Sequence, residues 1–406
     1  MRRNSLLYAG TLAFGQLATA AAFALAARHT SPTTFGVLAS GIAIGAVLAG
    51  LLDFGQSNYL IREVAKGGLL RREATDRLIV KLAAGLLGSC AAVAAALVFT
   101  NGGHNVLTIV LAGTITLMGA LTVQALQVEL RARGRFFSVS VCSVLGRMSL
   151  VSVVTLGVLL GAQGHKALLA GLLTSGAVEA FSLFIARRPG PYTGVTARIR
   201  ALPMRDAWGG STAYGVSGLA SAAQQLDVVV LAAFGGTGAA GVYAAVARWT
   251  SPLILPSSAI TQVATPTCAA AVNVKSGLAQ LRPFWILIVA SAAPCLVLAA
   301  FSDRFTELLL GPAFAQSASV LALLAVGVIP TIFAQPVNML LQVQNRDASI
   351  AVWSTIATLI RLAGAGTLGA FLGANGGAIS VILQQVVLCV AIGFILRSAI
   401  RRGGEA

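Results

Sequence analysis

The sequence is short of charge. Only 10% of its 406 residues are Asp, Glu, Lys or Arg, where a soluble domain carries about 25%; a soluble enzyme with a large core is excluded. Acid is scarcer than base, with 12 Asp and Glu against 28 Lys and Arg. The resulting excess of +16 would suit nucleic acid. The basic residues, however, stand between apolar runs, where anionic lipid headgroups lie, so membrane lipids are the expected partners and nucleic acid is not. The five cysteines, Cys90, Cys142, Cys268, Cys295 and Cys389, form no CxxC spacing and read as small buried hydrophobes. No hydrophilic segment is long enough for a catalytic domain. The phosphate-binding GxxxxGK motif, a dinucleotide fingerprint after a strand and HExxH are all missing. No enzyme activity, metal or cofactor is expected.

What the chain has is apolar length. A membrane-spanning helix needs about twenty mostly apolar residues, and twelve stretches meet that rule: 6–27, 36–59, 82–99, 106–128, 139–161 and 167–186, then 207–232, 242–265, 284–301, 317–341, 350–371 and 376–396. Met1-Arg2-Arg3 ahead of the first imitates a signal peptide, but the many following spans mark it as a retained helix. Pro330 and Pro336 inside the tenth predict a kink.

The stretch Leu51–Gly67, LLDFGQSNYLIREVAKG, sets the orientation. An uncharged run from Gly36 ends at Asp53, and Arg62, Lys66, Arg71, Arg72, Arg77 and Lys81 follow. Lys and Arg mark the cytoplasmic side. With both termini inside, the outer segments hold only Arg28, Lys166 and Arg304, plus His29, His104 and His165, which read as solvated loop residues.

A duplication is visible. Phe35-Gly36-Val37-Leu38-Ala39 after the first helix is echoed by Ala240-Gly241-Val242-Tyr243-Ala244 after the seventh. The expected organisation is an all-α polytopic membrane protein of about twelve helices in two six-helix bundles, residues 1–186 and 207–406. A basic, proline-bearing cytoplasmic linker at 187–206 joins them, and a pseudo-two-fold axis along the membrane normal relates them, as in parallel-repeat transporters. Glycine pairs such as Gly41 and Gly45 have the spacing for close helix packing.

Charges inside spans are costly and mark a partner or a water-filled cavity. Counting about 1.5 Å per residue puts Arg147 level with Glu179, and Asp227 level with Arg248, so each couple reads first as an ion pair. Asp53 is within reach of Arg62 or Lys66. Arg361, near the middle of the eleventh span, has no acid at its depth on a neighbouring span. It is either an anion site, with phosphate as a fitting bidentate partner, or a packing contact. Amides cluster too: Gln335, Asn338 and Gln342 share a face, as do Gln124 and Gln127, and Gln16, Gln224, Gln225, Gln384 and Gln385 lie in other spans. They suit either a lumen that meets sugar hydroxyls or interhelical hydrogen bonds.

Asp53-Phe54-Gly55 followed by Arg62-Glu63, with the Phe35-Gly36 turn before it, resembles the second helix of the Wzx-type oligosaccharide flippases of bacterial polysaccharide synthesis. These belong to the multidrug/oligosaccharidyl-lipid/polysaccharide exporter superfamily. Asp227, Gly241-Val242-Tyr243, Ala247-Arg248 and Leu310-Gly311 are similar to that pattern in the second half; Gln56-Ser57-Asn58 departs from it, where many members are aliphatic. The resemblance implies alternating-access transport of a polyprenyl-pyrophosphate-linked oligosaccharide across the bacterial cytoplasmic membrane. Arg361 and Arg248 would meet the pyrophosphate and amides the sugars, with glycosyltransferases and a polymerase of the same pathway as partners. Asp227, Arg62 and Asp53 complete the expected site set. A drug/cation antiporter of the same superfamily would need unpaired acid in the cavity. A membrane-embedded glycosyltransferase or polymerase would need a larger outer loop than 302–316, which offers only Asp303, Arg304 and Glu307.

Overall fold

The computed structural model describes residues 2–66, 71–99, 104–187, 211–269, 271, 273–344 and 346–402. The basic linker expected at 187–206 lies outside the described residues except for Arg187, as do the side chains of Arg2, Arg3, Lys66, Arg71, Arg72 and His104. Among the described residues the chain is helical, with no strand. Contacts divide it into two units, 1–226 and 227–406.

The first unit contains α1 (Arg2–Arg28), α2 (Pro32–Asp53), α3 (Gln56–Lys66), α4 (Arg71–Phe99), α5 (His104–Ala132), α6 (Phe136–Leu159), α7 (Gly164–Ala186) and α8 (Thr212–Ala223). The second contains α9 (Leu226–Phe234), α10 (Thr237–Ala247), α11 (Ser251–Ala269), α12 (Val274–Leu281), α13 (Trp285–Ala290), α14 (Ala293–Ala300), α15 (Ser302–Leu310), α16 (Ser317–Val343), α17 (Asp347–Leu372) and α18 (Ala374–Arg402). By length and composition nine helical stretches among the described residues can cross a membrane, and Gly218–Phe234 is a shorter apolar one. The protein is a multi-pass membrane protein of the all-α class.

The echoed pentapeptides occupy equal positions in the two units. Phe35 and Ala240 are each the fourth residue of their helix, and both five-residue runs are buried throughout. Small residues and aliphatics beside one large buried ring each, Phe35 and Tyr243, start both helices inside their units. α2 is capped by Ser31, whose hydroxyl accepts from the Thr34 N–H at 3.3 Å, with Pro32 in the first turn.

Several uniform spans of the sequence reading are broken. The run 36–59 stops at Asp53, because Phe54 (φ 37°) and Gly55 (φ 70°) take left-handed backbone, and α3 begins afresh. The run 207–232 breaks at Gln224-Gln225, and the run 284–301 at Ser291-Ala292 ahead of Pro294. The outer segment 302–316, read as a loop, is α15 plus one 3-10 turn. His165, read as a loop residue, lies in the first turn of α7. By contrast α16 runs unbroken through Pro330 and Pro336. Pro336 has no N–H for the Ile332 carbonyl, and the Ser257 hydroxyl of α11 donates to that oxygen instead, at 2.8 Å. A neighbouring helix thus satisfies the group that proline leaves open, as the bilayer requires.

The Gly41/Gly45 pair makes the closest crossing between α2 and α5. A Cβ at Gly41 would stand 2.5 Å from the Ile109 carbonyl oxygen, and one at Gly45 would press closer on the Gly113 carbonyl oxygen. Backbone faces backbone, so no rotamer change can relieve the clash. Gly45→Leu is expected to destabilise the protein by about 1–3 kcal/mol or more, whereas Gly88→Ala, where a Cβ meets nothing within 4 Å, stabilises its helix slightly. Thermal unfolding of the detergent-solubilised variants checks this; equal melting of the two would refute the backbone crossing.

Candidate functional site

The break after α2 creates a polar cavity in the first unit. Gly50, Asp53, Gly55, Asn58, Gln124, Gly218 and Ser221 line about 380 Å³ of space, within the range of small-ligand sites. Its walls are α2, the Phe54-Gly55 turn, α3, α5 and α8. Glycines keep it open. A Cβ on Gly218 would meet nothing within 4 Å, whereas on Gly215, one turn earlier, it would strike the Phe54 ring. Two of the expected site residues, Asp53 and Gln124, meet here.

Among the described side chains Asp53 is held by Lys81, not Arg62; the Lys66 side chain is not one of them. Lys81 of α4, fully buried, donates to Asp53 Oδ1 at 2.6 Å and to the Ser57 hydroxyl at 3.2 Å. The Ser57 hydroxyl (2.5 Å) and N–H (3.3 Å) donate to that same Oδ1. Three donors converge on one oxygen, and Oδ2 accepts none among the described residues. Arg62 lies on α3 beside Glu63, at 3.7 Å, with 52% of its side chain exposed. Gln124 Oε1 is buried and accepts no hydrogen bond among the described residues. Sequence reading placed Lys81 in the basic stretch behind Asp53 and gave it no site role; its spacing of 28 residues from Asp53 carries no local signal.

Gln127, one turn beyond Gln124 on α5, faces away to α7. Its Nε2 donates to Glu179 Oε1 at 3.2 Å, and Glu179 is 5% exposed. The expected Arg147–Glu179 couple is electrostatic, without a contact at salt-bridge distance among the described residues. Arg147 and Arg131 act on Glu179 through space, and Ser143 lies near it. Close approach of α6 explains the depth: a Cβ on Gly146 would lie 2.9 Å from Glu179 Cβ. At the cytoplasmic-expected end, burial pulls the Arg187 guanidinium below its ordinary value; Glu129 opposes that and Arg133 adds to it. Its Nη2 donates to the Ala125 carbonyl at 3.1 Å.

The second unit holds a buried tetrad. Asp227 at the start of α9 accepts at Oδ2 from the Tyr243 hydroxyl (2.5 Å), from Arg361 Nε (3.1 Å) and from Arg361 Nη2. Its Oδ1 accepts from the Val228 N–H at 2.7 Å. Arg361 Nη1 donates to Gln384 Oε1 at 3.0 Å. Four helices, α9, α10, α17 and α18, are thereby pinned together. Two expectations change. Asp227 pairs with Arg361, not Arg248, and Arg361 has an acid at its depth after all. Depth counting compared only chain neighbours, and these residues are 134 apart in sequence. Arg248 stands in the single 3-10 turn between α10 and α11, half-buried.

Two of the remaining amides donate within the second unit, while Gln335 Oε1 and Gln385 Oε1 accept no hydrogen bond among the described residues. Gln335 Nε2 donates to the Ser258 hydroxyl at 2.9 Å, and Gln342 Nε2 to Asn338 Oδ1 at 3.4 Å. Interhelical bonding accounts for Gln335. Among the described residues no group of His, Cys, Asp and Glu could hold a metal ion.

Comparison places this geometry. The model of the family described as polysaccharide biosynthesis protein matches residues 1–272. No curated protein matches the chain. Among solved structures, a multidrug resistance MATE family transporter of the MOP superfamily superposes with a TM-score of 0.75 at 17% identity, covering 96% of each chain. The lipid II flippase MurJ superposes with 0.73 at 12% identity, covering 97% of this chain and 87% of its own. A MOP superfamily transporter from Pyrococcus furiosus, with a binding pocket of reversed polarity, gives 0.59 at 18%, covering 98% and 95%. At these identities the likeness is one of fold.

Proposed function

The chain belongs to the polysaccharide biosynthesis protein family, and on that premise we propose that it is a flippase. It carries a polyprenyl-pyrophosphate-linked oligosaccharide from the cytoplasmic to the outer leaflet of the bacterial inner membrane by alternating access. Both termini are cytoplasmic, and glycosyltransferases and a polymerase of the same pathway supply and use the lipid. The observation that carries the reading is the cavity at the α2–α3 break. It sets a carboxylate oxygen, two amides and a hydroxyl around an open glycine wall, which suits the hydroxyls of a sugar. The lipid tail stays in the bilayer, so the protein moves only the polar head.

Arg361 is paired with Asp227, so in this reading it holds the second unit together rather than meeting the pyrophosphate; Arg248 and Arg62 are the other cations of the expected site. The rival drug/cation antiporter needs a carboxylate free to bind a cation, and Asp53 is already paired with Lys81. The rival glycosyltransferase needs converging acids; Asp303 and Glu307 are both exposed on α15.

Reconstitution tests the reading. In vesicles containing a fluorescent polyprenyl-pyrophosphate disaccharide, the wild-type protein is expected to bring the inner-leaflet pool within reach of an impermeant quencher. Gly218→Phe, which fills the cavity from an open position, should slow this by about tenfold or more at normal expression, since a blocked head group forfeits its binding contacts. Gly218→Ala should retain transport and melt no lower than wild type. Full transport by Gly218→Phe would remove the cavity from the mechanism.

A further inference from the structure

We infer that the cavity at the α2–α3 break is a subsite for an uncharged sugar unit, a neutral hexose or N-acetylhexosamine, and that it rejects uronic acids and other anionic sugars. This rests on the flippase reading and adds to it the charge of the sugar admitted. None of the seven lining residues is basic, and one is a carboxylate. The nearest cation of the pair, Lys81, is fully buried behind Asp53, its contacts directed at Asp53 Oδ1 and Ser57. The ion pair therefore presents its negative end to the cavity, with Oδ2 as an unfilled acceptor. The Asn58 amide and the Ser221 hydroxyl stand on the same lining.

Such a site asks for donors. Ring hydroxyls and an acetamido N–H supply them and can in turn accept from the Asn58 and Gln124 amides and the Ser221 hydroxyl. A uronate brings a second carboxylate toward Asp53 with no cation among the seven described lining residues to meet it, and like charges at close range oppose binding. The same negative end attracts a cation, and Lys81 behind it weakens the attraction and the repulsion alike. At about 380 Å³ the space admits a monosaccharide unit rather than a whole oligosaccharide. Selection by charge thus acts on one sugar of the head, leaving the pyrophosphate to cations elsewhere.

The test uses the full-length protein in vesicles with two fluorescent polyprenyl-pyrophosphate lipids, one bearing a neutral N-acetylglucosamine disaccharide and one the same disaccharide ending in glucuronic acid. The neutral lipid is expected to move at least about tenfold faster. Asn58→Lys, which brings a cation to the cavity, should narrow that ratio severalfold by speeding the uronate. Equal rates for the two lipids, or a preference for the uronate in the wild type, would overturn the inference and leave the flippase reading standing. Movement of neither lipid, with no thermal stabilisation of the solubilised protein by either, would overturn both.

Discussion

Arg361→Met is expected to remove most of the folded protein from the membrane, and adding Asp227→Asn is expected to bring much of it back. Asp227 is 3% exposed and the Arg361 side chain 15%. With the guanidinium gone, the carboxylate keeps only the Tyr243 hydroxyl and the Val228 N–H as donors. Removing one partner of a buried pair costs about 3–5 kcal/mol, because the other charge stays behind. That rivals the stability of a whole domain, about 5–15 kcal/mol. The converse change, Asp227→Asn alone, should cost less. The guanidinium would retain Gln384 and an amide oxygen, and it lies nearer the surface of its unit. The double variant leaves no naked carboxylate, so a coupling energy well above 1 kcal/mol is expected from the cycle. Fluorescence-detected size exclusion and melting of the four proteins measure it. Additive effects would mean that the pair does not hold α9, α10, α17 and α18 together. A normally folded Arg361→Met without transport would instead restore Arg361 to the substrate path.

The pairing of Arg361 shows where sequence reasoning stops. Hydropathy and length identify the spans because the bilayer demands about twenty apolar residues whatever the partners. Gly41 and Gly45 were legible because small residues four apart have one structural use between helices. The two pentapeptides were legible because each opens a helix into a buried core. Long-range pairing has no such signature. Asp53 meets Lys81 and Asp227 meets Arg361 across 28 and 134 residues, and a count of depth along straight helices cannot say which helices adjoin. Breaks were missed for a related reason. Phe54 adopts a left-handed conformation, uncommon outside Gly and Asn, so the aromatic residue gave no warning, and Gly55 alone is an ordinary member of a glycine-rich sequence. The cavity exists because of that break. Its lining was half legible: Asp53 and Gln124 stood out as polar residues in apolar runs, while Gly50, Gly55 and Gly218 contribute by lacking a side chain.

The buried pair of the first unit should fail in the opposite sense from that of the second. Here the cation is the more deeply buried partner: Lys81 is 0% exposed and Asp53 15%. Asp53→Asn strands an ammonium whose remaining acceptors are an amide oxygen and the Ser57 hydroxyl, in a place water does not reach. Lys81→Met strands a carboxylate that still accepts from the Ser57 hydroxyl and N–H and borders the cavity. Asp53→Asn is therefore expected to lower the folded population more than Lys81→Met, with about 3–5 kcal/mol at stake for the worse of the two. Methionine also matches the lysine stem in length, so packing against neighbours is largely kept. The double variant Asp53→Asn/Lys81→Met should melt within about 1–2 kcal/mol of wild type, since both charges leave together. It should still move a neutral lipid-linked sugar, because the asparagine amide offers both acceptor and donor to hydroxyls. Its discrimination against the uronate should shrink, because the negative end of the ion pair is gone. Melting curves give the order of the single variants and the recovery in the double. If Lys81→Met proves the more damaging, the ammonium is not the buried partner that the geometry makes it; if the double variant keeps full discrimination, Asp53 is not what repels the anion.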